Sequence, residues 1–301
     1  MNVTIKFIAF LSFALFAFGC GGAETQPADK GNSNDGETAS SSNTGSEDSS
    51  PATEPAGEKN NALVNLKLDE SESNYLSMRD APDSKTGKLV KKLPPGAVVS
   101  LTKCQKDETE AGGKKGRWCE VKYEDTTGWA FDAFLVRFEK LNFEVTGSSA
   151  GDLKLGMTVA EAKKAAPMYK FSRTEDGEGI SLIAAKIGEL EVMTIYAGES
   201  DDGPKPKDDA KIEQITVWNP NFKTSKGVHP NMKLDDAAKS YGGIKEIMIS
   251  EIESREWITF NEMPSGLEFR MYGGEYPDGQ TKTTKYKSGT TIHGIVVVGS
   301  R

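Results

Sequence analysis

The chain offers few groups able to make or break bonds. Its 301 residues include two histidines and three cysteines. His229 precedes Pro230 in a turn-like stretch, and His293 falls in an apolar run with strand character. Neither has a second His, Cys or carboxylate at metal-ligand spacing, and no His-Glu-x-x-His is present. A Gly-x-Ser-x-Gly nucleophile elbow and a phosphate-cradling P-loop are also missing from the sequence. The acidic stretch Glu199-Ser200-Asp201-Asp202-Gly203 lacks the alternating oxygen spacing of a Ca²⁺ loop and reads as a solvated loop. These residues point away from an enzyme: no catalytic set, no metal site and no cofactor are expected.

The three cysteines sit in unlike surroundings. Met1 to Lys6 is a short basic start, and Phe7 to Phe18 is an apolar run with Ser12 its one hydroxyl residue. Twelve helical residues cover about 18 Å, short of the roughly 30 Å hydrocarbon core, so the run reads as the apolar region of a signal peptide over residues 1–19. Ala17-Phe18-Gly19-Cys20 resembles the lipobox of bacterial lipoproteins, with Phe18 in place of the usual small or β-branched residue. The resemblance implies lipidation of Cys20, a membrane anchor and, because Gly21 is not an aspartate, attachment to the outer membrane facing periplasm or cell surface. Each buried methylene of an acyl chain adds about 0.8 kcal/mol of anchoring. In an exported protein the remaining pair, Cys104 and Cys119, reads as a disulfide. A reduced metal or redox pair would need partners that the local sequence does not offer.

Charge divides along the same lines. The whole chain carries a formal −8, and residues 21–60 hold two lysines against eight acidic residues, so −6 of it belongs there. From Ala23 to Asn60 there is no Val, Ile, Leu, Met, Phe, Trp or Tyr, so nothing offsets the entropy of ordering. Residues 20–60 therefore read as a lipidated cysteine followed by a disordered acidic tether, reaching about 35 Å by the square-root rule for flexible chains. Residues 61–301 are close to neutral. A basic excess of the kind that binds nucleic acid is absent, and no nucleic-acid partner is expected.

Residues 61–139 alternate short strands with turns. Tyr75 to Arg79 alternates, Ala81-Pro82-Asp83-Ser84 breaks, Pro94-Pro95-Gly96 turns, and Ala97 to Cys104 and Trp118 to Tyr123 flank a polar loop over Asp107–Gly116. Strands this short suggest a small β-barrel. If Cys104 faces Cys119 across an antiparallel pair, strict alternation places Thr102 opposite Val121 and Ser100 opposite Tyr123. The stretch Leu76-Ser77-Met78-Arg79-Asp80-Ala81-Pro82, the segment Leu93 to Val99, Trp118-Cys119-Glu120-Val121, Gly128-Trp129-Ala130 and Phe134-Leu135 together resemble the bacterial SH3-like domain (SH3b, SH3_3-type) over about 60 residues. That family implies binding to peptidoglycan or to an envelope protein or peptide. Met78, Val98, Val121 and Trp129 read as packing positions, whereas Tyr75, Arg79, Trp118 and Tyr123 are the candidate ligand contacts. Lys85, Lys88, Lys91, Lys92, Lys114, Lys115 and Arg117 make the region locally basic. With Cys20 lipidated and the other two paired, no cysteine remains for the Cys-His peptidase chemistry that often accompanies such domains.

Residues 150–301 show an internal repeat of period 75: Leu155 to Lys164 aligns with Pro230 to Lys239. Thr158 and Glu161 form a capping-box signature for a short helix. In the second copy Asn231 is the nearest candidate cap and Tyr241-Gly242-Gly243 the stop. Strand signals follow at Ile180–Lys186, Leu190–Ala197 and Ile212–Trp218, then at Lys245–Ile252, Glu256–Phe260, Leu267–Tyr272 and Thr291–Val298. The expected architecture is multidomain: an SH3-like barrel, then an α+β domain of two helix-plus-antiparallel-sheet repeats, about 152–220 and 227–298. Gly156-Met157-Thr158 with Glu161 resembles the turn of small outer-membrane-assembly lipoproteins, and the tandem helix-plus-sheet pattern resembles β-lactamase-inhibitor repeats. The leading expectation is a non-catalytic, membrane-anchored envelope lipoprotein binding through its SH3 module. The alternative is an inhibitor or envelope-assembly factor acting through the C-terminal repeats.

Overall fold

The structure is a computed structural model that describes residues 60–67, 74–198, 203–250 and 254–299. The apolar run, Cys20, nearly all of the acidic tether and residues 199–202 of the acidic stretch lie outside the described residues. The first sheet uses β1 (Asn60–Val64), β2 (Leu76–Arg79), β3 (Leu89–Leu93) and β4 (Val98–Cys104). A two-stranded ribbon follows, β5 (Thr109–Ala111) with β6 (Lys114–Gly116), inside the stretch read from sequence as a loop. Then come β7 (Trp118–Tyr123), β8 (Thr126–Phe131) and β9 (Leu135–Phe138). The seven-stranded order is β3-β2-β8-β7-β4-β1-β9. Leu76 and Met78 of β2 point inward between the half-buried Ser77 and Arg79, joining Val99, Val121 and Ala130 in one cluster. Val98 and Trp129 are only partly buried.

The β4–β7 pairing departs from strict alternation. Cys104 lies opposite Cys119 and is disulfide-bonded to it, but Leu101 opposes Val121 and Ser100 opposes Lys122. The register slips by one between Leu101 and Lys103, a β-bulge at Thr102. Its hydroxyl donates to the Glu120 carboxylate at 2.8 Å. Thr102 therefore does not meet Val121, nor Ser100 Tyr123.

The remaining elements are β10 (Glu144–Thr146), β11 (Ser149–Ala150), β12 (Leu153–Lys154), α1 (Val159–Ala165), β13 (Lys170–Glu175), β14 (Ser181–Ile187), β15 (Leu190–Tyr196) and β16 (Gln214–Val217). After them run β17 (Lys223–Thr224), α2 (Leu234–Ser240), β18 (Ile244–Ile249), β19 (Glu256–Phe260), β20 (Leu267–Met271), β21 (Lys282–Thr283) and β22 (Ile292–Val297). A small sheet has the order β12-β11-β10-β17, and a nine-stranded sheet the order β13-β14-β15-β16-β22-β20-β19-β18-β21. Helix α1 begins as its sequence dictates. Thr158 accepts from the Glu161 amide and the Glu161 carboxylate accepts from the Thr158 amide. Helix α2 begins at Lys233 without a side-chain cap, while Asn231 sits two residues upstream in the left-handed region at φ 67°.

The expected α+β repeat domain is not what the chain builds. The fold is mostly β, with two seven-residue helices among the described residues. Each spans about 10 Å at 1.5 Å per residue, too short to cover a sheet face. The C-terminal strand β22 inserts between β16 and β20, so strands before and after α2 share one antiparallel ladder. Neither half closes a sheet of its own, and the two-repeat architecture from which the β-lactamase-inhibitor resemblance drew is absent.

The barrel and the large sheet share a core. Leu63 and Phe138 belong to the same buried cluster as Leu190, Val217 and Phe222. Phe138 packs edge-on against Phe143, with ring centroids 6.3 Å apart, and Phe143 against Phe222 at 5.2 Å. Asparagine side chains bonded to backbone close the junction: the Glu189 amide donates to Asn65 Oδ1 at 2.6 Å, and Asn221 Nδ2 to the Gly96 carbonyl at 2.6 Å. Gly96 is required there. Its φ is +77°, and a Cβ would lie 2.4 Å from Asn219 Nδ2.

Candidate functional site

A groove of about 210 Å³ opens on the barrel between β2, the β5–β6 ribbon, β7 and the turn that follows β8. Strand alternation builds it. Ser77 and Arg79 point out of β2 because Leu76 and Met78 point in. Trp118, at the start of β7, is 5% exposed and forms the floor, packing edge-on against Phe131 at 5.4 Å. Phe134, from the short 3₁₀ turn Asp132–Phe134, leans on Phe131 at 6.3 Å. Gly112 brings the ribbon close: a Cβ there would lie 2.9 Å from the Phe134 ring.

The groove is apolar at its base and cationic at its rim. Lys92 Nζ lies 4.5 Å from the Tyr75 ring centroid, and Lys114 Nζ 4.8 Å from that of Phe134. Such contacts keep each ammonium at the aromatic wall while leaving donors toward the opening. Arg79 gives one of its five N–H donors to the Gly87 carbonyl at 2.6 Å and has no carboxylate partner among the described residues. Of the other cations in the basic stretch, Lys91 pairs with Glu124 at 2.5 Å, and Arg117 with Asp132 at 3.4 Å. Lys85, Lys88 and Lys115 are exposed. The arrangement suits a ligand with a flat or apolar body and an anionic or carbonyl-rich edge.

Three of the four candidate contacts, Tyr75, Arg79 and Trp118, line this groove. Trp118 does so as a buried floor instead of a half-exposed wall. Tyr123 does not join them. It is five residues beyond Trp118 on β7, an odd separation that turns its side chain to the opposite face. There burial pushes its phenol pKa up, and Lys91 Nζ lies 5.6 Å from its ring. Phe131 and Phe134 line the groove without having been candidate contacts, and Lys92 and Lys114, read from sequence only as part of a basic stretch, stand beside the Tyr75 and Phe134 rings. Phe134 stands inside the stretch that carries the family pattern, and the alternation of β8 was the available signal for Phe131.

Elsewhere the histidines take structural places. His229 Nδ1 contacts the Pro230 carbonyl at 2.8 Å, and His293 packs between Trp218 and Tyr272 at 5.3 and 4.7 Å. Among the described residues no three His, Cys, Asp or Glu side chains converge as metal ligands. Among them, too, no helix is long and apolar enough to cross a membrane.

Comparison with known proteins places a family on the barrel. Residues 74–136 match the family model of the bacterial SH3 domain, and the groove lies within that span apart from Leu66 at its margin. No curated protein matches the chain. Among solved structures, the uncharacterized protein yfeY from Escherichia coli is similar over 52% of this chain and 99% of its own, at 15% identity and a TM-score of 0.36.

Proposed function

We propose that the chain is a non-catalytic, membrane-anchored lipoprotein of the bacterial cell envelope, whose SH3 module takes a cell-wall or protein ligand in the groove around Tyr75, Arg79 and Trp118. A bacterial SH3 domain is a binding module, commonly for peptidoglycan or proteins, and it suits an extracytoplasmic protein. The observation that carries the reading is the groove itself: aromatic walls and floor, Arg79 on its lining, and Lys92 and Lys114 beside the Tyr75 and Phe134 rings. The disulfide between Cys104 and Cys119 accords with an oxidising compartment. The basic start, the apolar run and Cys20 support the anchor, and the composition of residues 23–60 supports a tether that lets the module search near the membrane.

One fractionation tests both halves of the reading. The full chain should partition with membranes in its producing cell, and Cys20→Ser should release it to the soluble fraction. The released protein should sediment with purified sacculi or cross-link to an envelope protein through a photoreactive residue at position 75. A chain that stays on the membrane without Cys20 contradicts the anchor. One that neither sediments nor cross-links contradicts the binding role.

A further inference from the structure

The nine-stranded sheet has a second face, and it is not a plain solvated surface. Ile215, Val217, Phe269, Met271, Ile295 and Val297 point into the core. The residues between them must point the other way. There a cavity of about 210 Å³ is lined by Thr194, Gln214, Thr216, Trp218, Arg255 and Arg270, with further polar groups around them.

Arg270 holds its centre. On one side Trp257 lies directly opposite it across the β19–β20 pair. On the other, Arg270 faces Gly294 of β22, and Trp218 follows β16 beyond. Gly294 makes room for the indole, since a Cβ there would lie 2.7 Å from Trp218 Cζ3. The guanidinium carbon is 5.5 Å from the Trp218 ring centroid and 5.4 Å from that of Trp257. Trp218 is fixed in turn, its Nε1–H donating to Thr194 Oγ1 at 3.2 Å. Aromatic neighbours on two sides leave the planar edge of the guanidinium as its donor surface.

The charge of Arg270 is favoured by the Glu178 carboxylate only from a distance. Of the carboxylates around the cavity, Asp176 and Glu178 are both engaged by Arg255, and Glu175, on its lining, is exposed to solvent. Among the described residues no carboxylate lies within ion-pair distance of Arg270. Burial lowers its pKa; the phenol of Tyr272 favours the cation, and the like charge of Arg255 opposes it. A half-buried guanidinium is normally paired with a carboxylate or phosphate. Lys186 sits 3.5 Å from Glu191 at the margin of the cavity, so that carboxylate too is already neutralised.

We propose that this cavity is a second binding site, for a small carboxylate-bearing ligand whose carboxylate takes the edge of Arg270 while Gln214 and Thr216 receive its polar groups. The volume is below the roughly 300 Å³ at which drug-sized sites begin, so the ligand is a single ring or a short peptide end. An acidic sugar and a peptide C-terminus share this chemistry.

Tryptophan fluorescence tests the site, because Trp218 and Trp257 flank Arg270. The full chain released by Cys20→Ser is titrated with glucuronate, with N-acetyl-alanyl-alanine and with neutral glucose. A saturable change with at least one of the two carboxylates and none with glucose is expected, and which carboxylate acts identifies the source. Arg270→Lys keeps a cation beside the indoles but loses the fork, and should weaken binding at least tenfold with an unchanged melting temperature. Tyr75→Ala, in the barrel groove, should leave the titration unaltered, so the two sites fail independently. The proposal is overturned by no saturable response to either carboxylate, by an equal response to glucose, or by equal affinity in Arg270→Lys.

Discussion

Replacing Phe269 with alanine should remove about 3–5 kcal/mol of stability, the range for deleting a large aromatic side chain from a packed core. Phe269 is fully buried at the centre of β20. Its ring packs against Phe260 at 5.4 Å and Tyr241 at 5.6 Å, and those two rings lie 5.4 Å apart. Tyr241 ends helix α2 and donates its hydroxyl to Thr224 Oγ1 at 2.8 Å, so the same cluster ties α2 and β17 to the sheet. The cavity has little prospect of collapsing, because the strands on both sides of β20 are held by their own ladders. A loss of that size is a large fraction of the roughly 5–15 kcal/mol that keeps a native protein folded. Urea titration followed by circular dichroism measures it, and a loss below about 1 kcal/mol would mean that the aromatic cluster is not the packing centre described.

Converting both Cys104 and Cys119 to serine should cost about 3 kcal/mol, the chain-entropy value for a loop of this size. The bridge closes a sequence separation of 15 residues across β4 and β7. Cys119 is fully buried in the barrel cluster, so a serine hydroxyl there also loses solvation without a prepared partner. Arg137 of β9 reaches the pair, with Nη2 3.1 Å from Cys104 Sγ, and would lose that contact. Because Leu63 and Phe138 sit in the core shared with the large sheet, the damage should spread beyond the barrel. Denaturation midpoints with and without reductant would show it. An unchanged midpoint in the double variant contradicts a stapling role for the bridge.

Much of the barrel was legible because its signals are local. Alternation at Leu76 to Arg79, the turn at Pro94-Pro95-Gly96 and the paired cysteines each fix a strand or a pairing within a few residues. The capping box at Thr158 and Glu161 was legible for the same reason. The large sheet was not, since its decisive event is the pairing of β22 with β16, about 80 residues earlier in the chain. Period-75 similarity suggested two closed units, whereas strand insertion made one ladder. Smaller misses have equally local causes. A bulge at Thr102 shifts the β4–β7 register, and Lys233, not Asn231, begins α2. Tyr75, Arg79 and Trp118 converge as candidate contacts, while the parity of residue numbers along β7 already placed Tyr123 on the other face.

The proposed role of the barrel groove is to take the envelope ligand, with no other part of the barrel surface involved. Its most direct test compares two tyrosine variants of the full chain released by Cys20→Ser, assayed for retention on purified sacculi or, if the ligand is a protein, on that protein. Tyr75 lines the groove beneath Lys92, and Tyr123 lies on the opposite face. Truncating an aromatic contact at a binding centre costs more than about 1 kcal/mol, so Tyr75→Ala should weaken retention about tenfold. Tyr123→Ala should bind as the parent does. Equal retention of both variants, or a loss confined to Tyr123→Ala, would contradict the account.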